Sequence, residues 1–283
     1  MTSSPFISFN CPLDGRPLTR AGGAWRCESG HCYDVAREGY VNLLPVQNKK
    51  SRDPGDSKEM VAARRRFLQE GHYRPIADAT ARAVLADIAE GSPTAILDAG
   101  CGEGYYLREL AALAEGLELQ IVGLDISKWA VQAAARRSMN MSWVVGSNAK
   151  LPLPDASVDR ILCMFGFPVH AEFARVLKPE GRLIQVEAGF DHLLELREII
   201  YPTLKPRVSE RPAPEGFAVH DSVNVRGHMV LDTQQQIADL LAMTPHLYRA
   251  DAEGRARAAA LTTLNATIDA VIISHDKEEN HGE

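Results

Sequence analysis

The sequence predicts an α/β protein built around a parallel β-sheet, with a small separate module at the N-terminus. Three observations predict this fold. A short buried strand runs into a turn of alternating glycines, Gly100, Gly102 and Gly104, which a helical segment follows. Four more apolar segments of strand length come after it, separated by helical segments or turns. The N-terminal segment instead carries two polar knuckles with cysteines and a histidine.

The N-terminal knuckles offer ligands for a zinc ion. Cys11, Cys27 and His31 supply the thiolates and the imidazole that zinc prefers in a tetrahedral site. Asp14 stands where a fourth cysteine would complete a C-x-x-C pair, and a carboxylate is a harder and weaker partner in such a site. Cys32 is an alternative fourth ligand if the loop is rearranged. The competing interpretation is a loop that packs around its aromatic residues without metal.

A basic segment at residues 47–66 joins this module to the sheet region. The segment contains seven basic and three acidic residues. The basic residues are Lys49, Lys50, Arg52, Lys58, Arg64, Arg65 and Arg66. Because phosphate contacts dominate the affinity for nucleic acid, the segment predicts a surface that faces RNA. A solvated helix face, on the helix predicted over 58–70, is the competing interpretation.

The first strand of the sheet is predicted at Ala95–Leu97 and ends at the glycine turn. The glycines leave the backbone bare, so a ligand can lie directly against it. The spacing G-x-G-x-G differs from the dinucleotide fingerprint, and no G-K-[ST] of a triphosphate loop is present. With Asp98 ahead of the glycines, the turn resembles the S-adenosylmethionine loop of Rossmann-like methyltransferases. A plain tight turn between strand and helix is the competing interpretation.

The following strands each end in a polar residue or a turn. The second, at 120–125, ends in Asp125 about 20 residues past the glycines, where a carboxylate accepts both ribose hydroxyls of an adenosine. The third, at 141–148, ends in Asn148, which is expected near the adenine. A fourth strand at 160–165, a helix at 171–178, a turn at 179–181 and a fifth strand at 182–187 complete the order. Ligands bind at the carboxyl ends of such strands, and the order resembles class I methyltransferases.

Composition excludes several classes of protein. The 283 residues carry a net charge of −6, so no global basic field attracts nucleic acid. No apolar run is long enough to cross a bilayer, and the N-terminus lacks a secretory signal. Five cysteines, an odd number, do not form a typical disulfide framework. We therefore expect a cytoplasmic protein without a membrane partner.

Motifs along nearly the whole chain resemble one family. The segments Glu38–Leu44 and Ser51–Asp56 are specific, and they combine with the zinc knuckles and the loop from Asp98 to Tyr106. Together they resemble the 23S rRNA (guanine-N1)-methyltransferases, which modify a guanine in hairpin 35 of large-subunit RNA. The resemblance implies S-adenosylmethionine-dependent methylation of guanine N1 by a guanine(745) enzyme or a close relative. It also implies zinc, large-subunit ribosomal RNA as partner, and a possible homodimer.

The resemblance also implies particular site residues. Cofactor contacts of the family fall on Tyr73, Gly102, Glu103 and His192, and its zinc site uses three cysteines and one histidine. This chain departs from the family at Asp14 and in the segment 165–168, which is one residue longer before its proline. The complete predicted cofactor set is Tyr73, Gly100, Gly102, Glu103, Gly104, Asp125, Asn148 and His192. The predicted metal set is Cys11, Asp14, Cys27 and His31.

Glu103 stands out among these residues because a glutamate is unusual within a glycine turn. We expect its carboxylate to bind the amino group of the cofactor by a charge-assisted hydrogen bond. Spacing identifies no catalytic base. Two other functions stay open, a small-molecule methyltransferase and a non-catalytic RNA-binding protein of the same fold. The predicted divisions are a zinc and RNA-recognition module at 1–45, a basic linker and helix at 46–75, the methyltransferase domain at 76–275 and a disordered tail at 276–283.

Overall fold

A computed structural model describes residues 2–48, 51–204 and 212–278. A mixed β-sheet of nine strands forms the centre of this part of the chain. Its strands are β1 (Thr2–Pro5), β6 (Val41–Asn42), β7 (Thr94–Ala99), β8 (Glu118–Asp125), β9 (Ser142–Val145), β10 (Val158–Met164), β11 (Leu177–Ala188), β12 (Phe217–Leu231) and β13 (Leu264–Lys277). The order is β12-β13-β11-β10-β7-β8-β9-β6, with β1 beside β8. Strand β13 runs antiparallel to both of its neighbours, β11 and β12, and the other strand pairs of the sheet are parallel.

Helices cover both faces of the sheet. They are α1 (Lys58–Gln69), α2 (Arg74–Leu85), α3 (Tyr105–Leu113), α4 (Lys128–Ala135), α5 (His170–Val176), α6 (Leu194–Ile200), α7 (Gln234–Ala242), α8 (His246–Arg249) and α9 (Ala252–Ala259). Neighbouring strand residues such as Ile96 and Leu97 belong to two separate apolar clusters, one on each side. Because side chains alternate along a strand, this pattern means that the sheet is buried on both faces. No helix in the described ranges has the length and apolar character needed to cross a membrane.

A second, antiparallel sheet forms the N-terminal module. Its strands are β2 (Phe9–Asn10), β3 (Pro17–Ala21), β4 (Ala24–Arg26) and β5 (Cys32–Asp34). Phe9 packs edge-on against Trp25 with ring centroids 5.0 Å apart, and both belong to the apolar cluster that includes Leu97 of the large sheet. The side chain of Lys150 donates to the carbonyl of Pro12 at 3.0 Å. The module is therefore packed against the large sheet and shares its core.

The predicted α/β fold is confirmed, and the strand bounds differ in places. The third strand is shorter than the predicted 141–148. Helix α5 ends at Val176, and Leu177 already pairs with Val158, so the predicted turn at 179–181 lies inside β11. The pairing shifts register there, and Glu180 takes a φ of 62°, which accommodates the turn as an irregularity within the strand.

The two chain ends also differ from the predicted divisions. Strands β1 and β6, from the stretch predicted as a separate module, pair with β8 and β9 of the large sheet. Strand β13 continues to Lys277, and the amide of Glu278 donates to the carbonyl of Gly216 at 3.0 Å. Residues 276–278 of the predicted tail are therefore hydrogen-bonded to the sheet. Residues 279–283 lie outside the described ranges.

Candidate active site and metal centre

The glycine turn lies at the carboxyl end of β7 and is fixed to β8. The amides of Gly100 and Cys101 both donate to the carbonyl of Leu124, at 2.8 and 3.0 Å. Gly100 and Gly102 have φ values of 112° and 54°, which residues with side chains rarely adopt. A Cβ on Gly100 would meet no atom within 4 Å. The turn therefore presents bare backbone to open space, as a ligand cradle requires.

Gly104 lacks a side chain for a different reason. A Cβ at this position would lie 2.6 Å from the indole of Trp143, which is buried beneath the turn. Gly104 also has a φ of 80° and precedes α3. A glycine is therefore required at position 104 because the turn packs against β9, independently of any contact with a ligand.

Asp125 holds the glycine turn from the end of β8. Its Oδ2 accepts a hydrogen bond from the amide of Gly102 at 2.9 Å, and its Oδ1 accepts one from the amide of Ser127 at 2.8 Å. Burial raises the pKa of Asp125, and these two amides oppose the rise. The carboxylate keeps lone pairs for further donors, which is what binding of ribose hydroxyls requires.

Two polar groups at the same edge of the sheet have unsatisfied oxygens. Asp98 is fully buried, and neither of its carboxylate oxygens has a hydrogen-bond partner in the described part of the chain. Burial, together with the charge of Asp125, raises its pKa well above the usual range. Asn148 donates to the carbonyls of Ala99 and Phe167, while its buried Oδ1 has no hydrogen-bond partner within the described ranges. Such groups fit a ligand that brings hydrogen-bond donors.

Tyr73 and His192 meet, although 119 residues separate them. The hydroxyl of Tyr73 lies 3.0 Å from Nε2 of His192, and Nδ1 of His192 accepts from the amide of Asp269 at 3.2 Å. The neutral imidazole therefore carries its proton on Nε2 and donates to Tyr73. Burial lowers the pKa of His192 to about 4, so the ring is neutral at physiological pH. Phe165 stacks on it with centroids 5.8 Å apart.

Glu103 has a different environment from the predicted one. Its side chain is fully buried, and both carboxylate oxygens accept from Nη2 of Arg108, at 2.9 and 3.0 Å. Nη1 of Arg137 lies 3.9 Å away. These arginines pair with the carboxylate, and its predicted contact with the cofactor amino group stays a prediction.

The basic segment is also arranged differently from the predicted RNA-facing surface. Arg66 forms two hydrogen bonds with Asp239 of α7, at 2.8 and 2.6 Å. Arg64 donates to Asp56 at 2.7 Å and packs over Gly102. Lys58 lies 4.1 Å above the ring of Trp129. In the structure these side chains contact the protein itself, and the RNA-facing role of the segment stays a prediction. Lys49 and Lys50 lie outside the described residues.

The four predicted metal ligands form one cluster. The ligand atoms of Cys11, Asp14, Cys27 and His31 all lie within 4.8 Å of one another. Nδ1 of His31 is 3.4 Å from each sulfur and 3.3 Å from Oδ2 of Asp14. Two thiolates, an imidazole and a carboxylate around one point fit a tetrahedral zinc ion. Cys32 is exposed and does not belong to the cluster.

Sequence reasoning did not include Asp98 or Arg64 in the predicted cofactor set. Asp98 had a usable signal, because it ends a buried strand just ahead of the glycines. Arg64 had none, since its contact with Gly102 joins two elements 38 positions apart and only the fold brings them together.

Two family models match the chain. The RlmA N-terminal zinc ribbon matches residues 9–52, and a methyltransferase domain matches residues 96–181. The prediction of a zinc module followed by an S-adenosylmethionine-dependent methyltransferase domain is thus confirmed.

Curated relatives match over most of the chain. A putative 23S rRNA (guanine-N1)-methyltransferase of Micromonospora griseorubida is 35% identical, covering 89% of this chain and 91% of the relative. One of Bacillus subtilis is 34% identical, covering 95% and 96%. A 23S rRNA (guanine(748)-N1)-methyltransferase of Streptomyces fradiae is also 34% identical, covering 87% and 88%.

Proposed function

Because this chain belongs to the family of 23S rRNA (guanine-N1)-methyltransferases, we propose that it methylates N1 of one guanine in hairpin 35 of large-subunit RNA, with S-adenosylmethionine as methyl donor. The observation that supports this most directly is the intact glycine turn, held by Asp125 at the carboxyl end of the parallel sheet. A non-catalytic relative would not need the open space above Gly100 or the unsatisfied oxygens of Asp98.

In this proposal, different residues of the pocket contact different parts of the cofactor. Gly100 and Gly102 offer backbone to the central part, and Asp125 accepts the ribose hydroxyls. Asn148 lies where the adenine edge is expected, with its Oδ1 ready for the exocyclic amine. Tyr73 and His192 contribute a buried, uncharged pair. The bound cofactor supplies a methyl group already activated on a sulfonium, so the protein has to position the nucleophile and exclude water.

The segment after β10 is our candidate for the guanine contact. Phe167 is 85% exposed, and its carbonyl is bound by Asn148 beside the cofactor pocket. Phe165 has a φ of 47°, an uncommon conformation for an aromatic residue, and its amide donates to the carbonyl of Val186. An exposed ring at this edge offers a stacking surface for a guanine turned out of the RNA hairpin.

The zinc module supplies the second half of the proposal. The metal holds the knuckles of a small sheet that packs on the face of the large sheet opposite α2 and α3. We assign RNA recognition to this module. Cytoplasmic location accords with five free cysteines in the structure, and a homodimer stays a prediction.

The test is methylation of a transcript of hairpin 35 with labelled S-adenosylmethionine. We expect one guanine to gain a methyl group at N1, which blocks primer extension and is identified by mass spectrometry of nuclease fragments. Asp125→Ala should abolish the product without unfolding the zinc module. A transcript with that guanine replaced by adenine should stay unlabelled. Methylation of a small metabolite but not of the transcript would contradict the rRNA assignment.

A further inference from the structure

Arg64 is a basic residue at the cofactor pocket rather than at an RNA surface. It lies on α1, and its Cδ is 3.7 Å from the position that a Cβ of Gly102 would occupy. Its Nη2 donates to Oδ2 of Asp56 at 2.7 Å and to the carbonyl of Met243 at 3.2 Å. These contacts hold the guanidinium over the glycine turn, with 29% of the side chain exposed.

The guanidinium has a hydrogen-bond donor left over. Its Nε is buried and has no hydrogen-bond partner in the described ranges. Buried donors in native proteins are nearly always satisfied, so this one points to a missing acceptor. The charge of Arg64 also acts on two residues of the predicted cofactor set. Burial raises the pKa of Tyr73 and of Asp125, and in both groups the positive charge of Arg64 opposes the rise.

The cofactor has an anionic group that can accept a hydrogen bond from Arg64. Its methionine end carries a carboxylate and an ammonium group, and a planar guanidinium is the side chain that best binds a carboxylate. At the end of β7, Asp98 offers carboxylate oxygens for the opposite charge, and these have no hydrogen-bond partner among the described residues. Burial raises the pKa of Tyr106, the positive charge of Arg64 lowers it, and the charge of Asp98 raises it.

We propose that Arg64 binds the α-carboxylate of S-adenosylmethionine through its free Nε–H. The inference rests on the proposed function, since it needs the cofactor in this pocket. It also reassigns Arg64 from the ribosomal RNA to the methyl donor. A phosphate group of the RNA is a poorer fit, because Asp56 and the carbonyl of Met243 hold the guanidinium over the glycine turn.

The experiment compares two ligands that differ only in the carboxylate. Calorimetry measures binding of S-adenosylmethionine and of its decarboxylated form to the wild type and to Arg64→Gln. We expect Arg64→Gln to weaken S-adenosylmethionine about 10- to 100-fold, as for loss of a hydrogen bond to a charged group. Decarboxylated ligand should bind both proteins equally, within about twofold, and this also shows that the variant is folded.

Asp56→Asn is the matched control. It removes the ion pair at Asp56 but leaves Arg64 in place, so it should keep the preference for the carboxylated ligand. If Arg64→Gln weakens both ligands equally, its role is structural and the proposal is overturned. Unchanged binding of S-adenosylmethionine in Arg64→Gln also overturns it. A wild type that binds neither ligand would instead refute the proposed function, and this inference with it.

Discussion

Gly100 and Gly104 belong to one turn, but the structure gives them different tasks. Gly104→Ala should lower stability by about 1–3 kcal/mol through overpacking against Trp143. Its left-handed backbone adds about 1–2 kcal/mol. Gly100→Ala bears only a backbone cost, because its Cβ would face open space. Urea denaturation should therefore rank Gly104→Ala as clearly less stable, whereas calorimetry should show lost cofactor affinity in Gly100→Ala. Equal stability of the two variants would contradict this division.

At the metal centre, the residue that departs from the family gives the sharpest prediction. A carboxylate is a harder ligand than a thiolate, so Asp14→Cys should slow zinc loss to a chelator. Cys27→Ser should lose the ion, and Cys32→Ser should retain it because Cys32 lies outside the cluster. Zinc release is followed with a colorimetric chelator, and metal content by mass spectrometry. Loss of zinc from Cys32→Ser would mean that Cys32, and not Asp14, is the fourth ligand.

Single residues also show which features of the site can be predicted from the sequence and which cannot. The clustering of the four candidate zinc ligands and the position of Asp125 at the end of its strand could be predicted, because residue type and spacing along the chain carry that information. The environment of Glu103 could not, since the same glutamate suits a cofactor amine or an arginine. In the structure Arg108 and Arg137 lie beside the carboxylate, and the fold alone brings Arg137 to this position.

Among the elements, α1 and α7 are joined by a salt bridge with unequal partners. Asp239 is buried, with 4% of its side chain exposed, whereas Arg66 is 46% exposed. Removing Arg66 leaves a buried carboxylate to which Gln235 is the only remaining side-chain donor among the described residues. Removing the carboxylate leaves a guanidinium that water can solvate. Arg66→Gln should therefore cost about 2–4 kcal/mol of unfolding free energy, and Asp239→Asn less than half of that. If chemical denaturation gives equal losses of unfolding free energy for the two variants, burial of the remaining partner does not determine the cost.

Strand prediction succeeded where apolar runs are buried on both faces. Strands β7, β8 and β10 have that pattern, and their polar ends give the edge of the site. Strands β1 and β6 have four and two residues, which is too short for any periodicity. Their pairing with the large sheet depends on contacts across more than 100 positions, so only the folded chain reveals it.

For the whole molecule, a net charge of −6 requires that RNA meets a local basic surface. In helix α1, the side chains of Arg64 and Arg66 form ion pairs within the protein. The zinc module has exposed arginines, and Arg26 at the end of β4 is one of them. The module and α2 pack against apolar clusters on opposite faces of the sheet. A charge change on each face can therefore separate a specific RNA contact from an effect of total charge.

Arg26→Glu and Arg82→Glu make that comparison, since each reverses one exposed arginine and Arg82 lies on α2. Arg26→Glu should weaken binding of the hairpin 35 transcript and reduce the slope of log affinity against log salt by about 1, as for one lost phosphate contact. Arg82→Glu should leave the slope unchanged. Affinity for S-adenosylmethionine should be the same in both variants, because neither residue is among those of the cofactor pocket. Fluorescence anisotropy over a series of salt concentrations measures the slopes. An equal decrease in both variants would mean that RNA senses only the net charge, and the zinc module would then lose its assignment as the recognition surface.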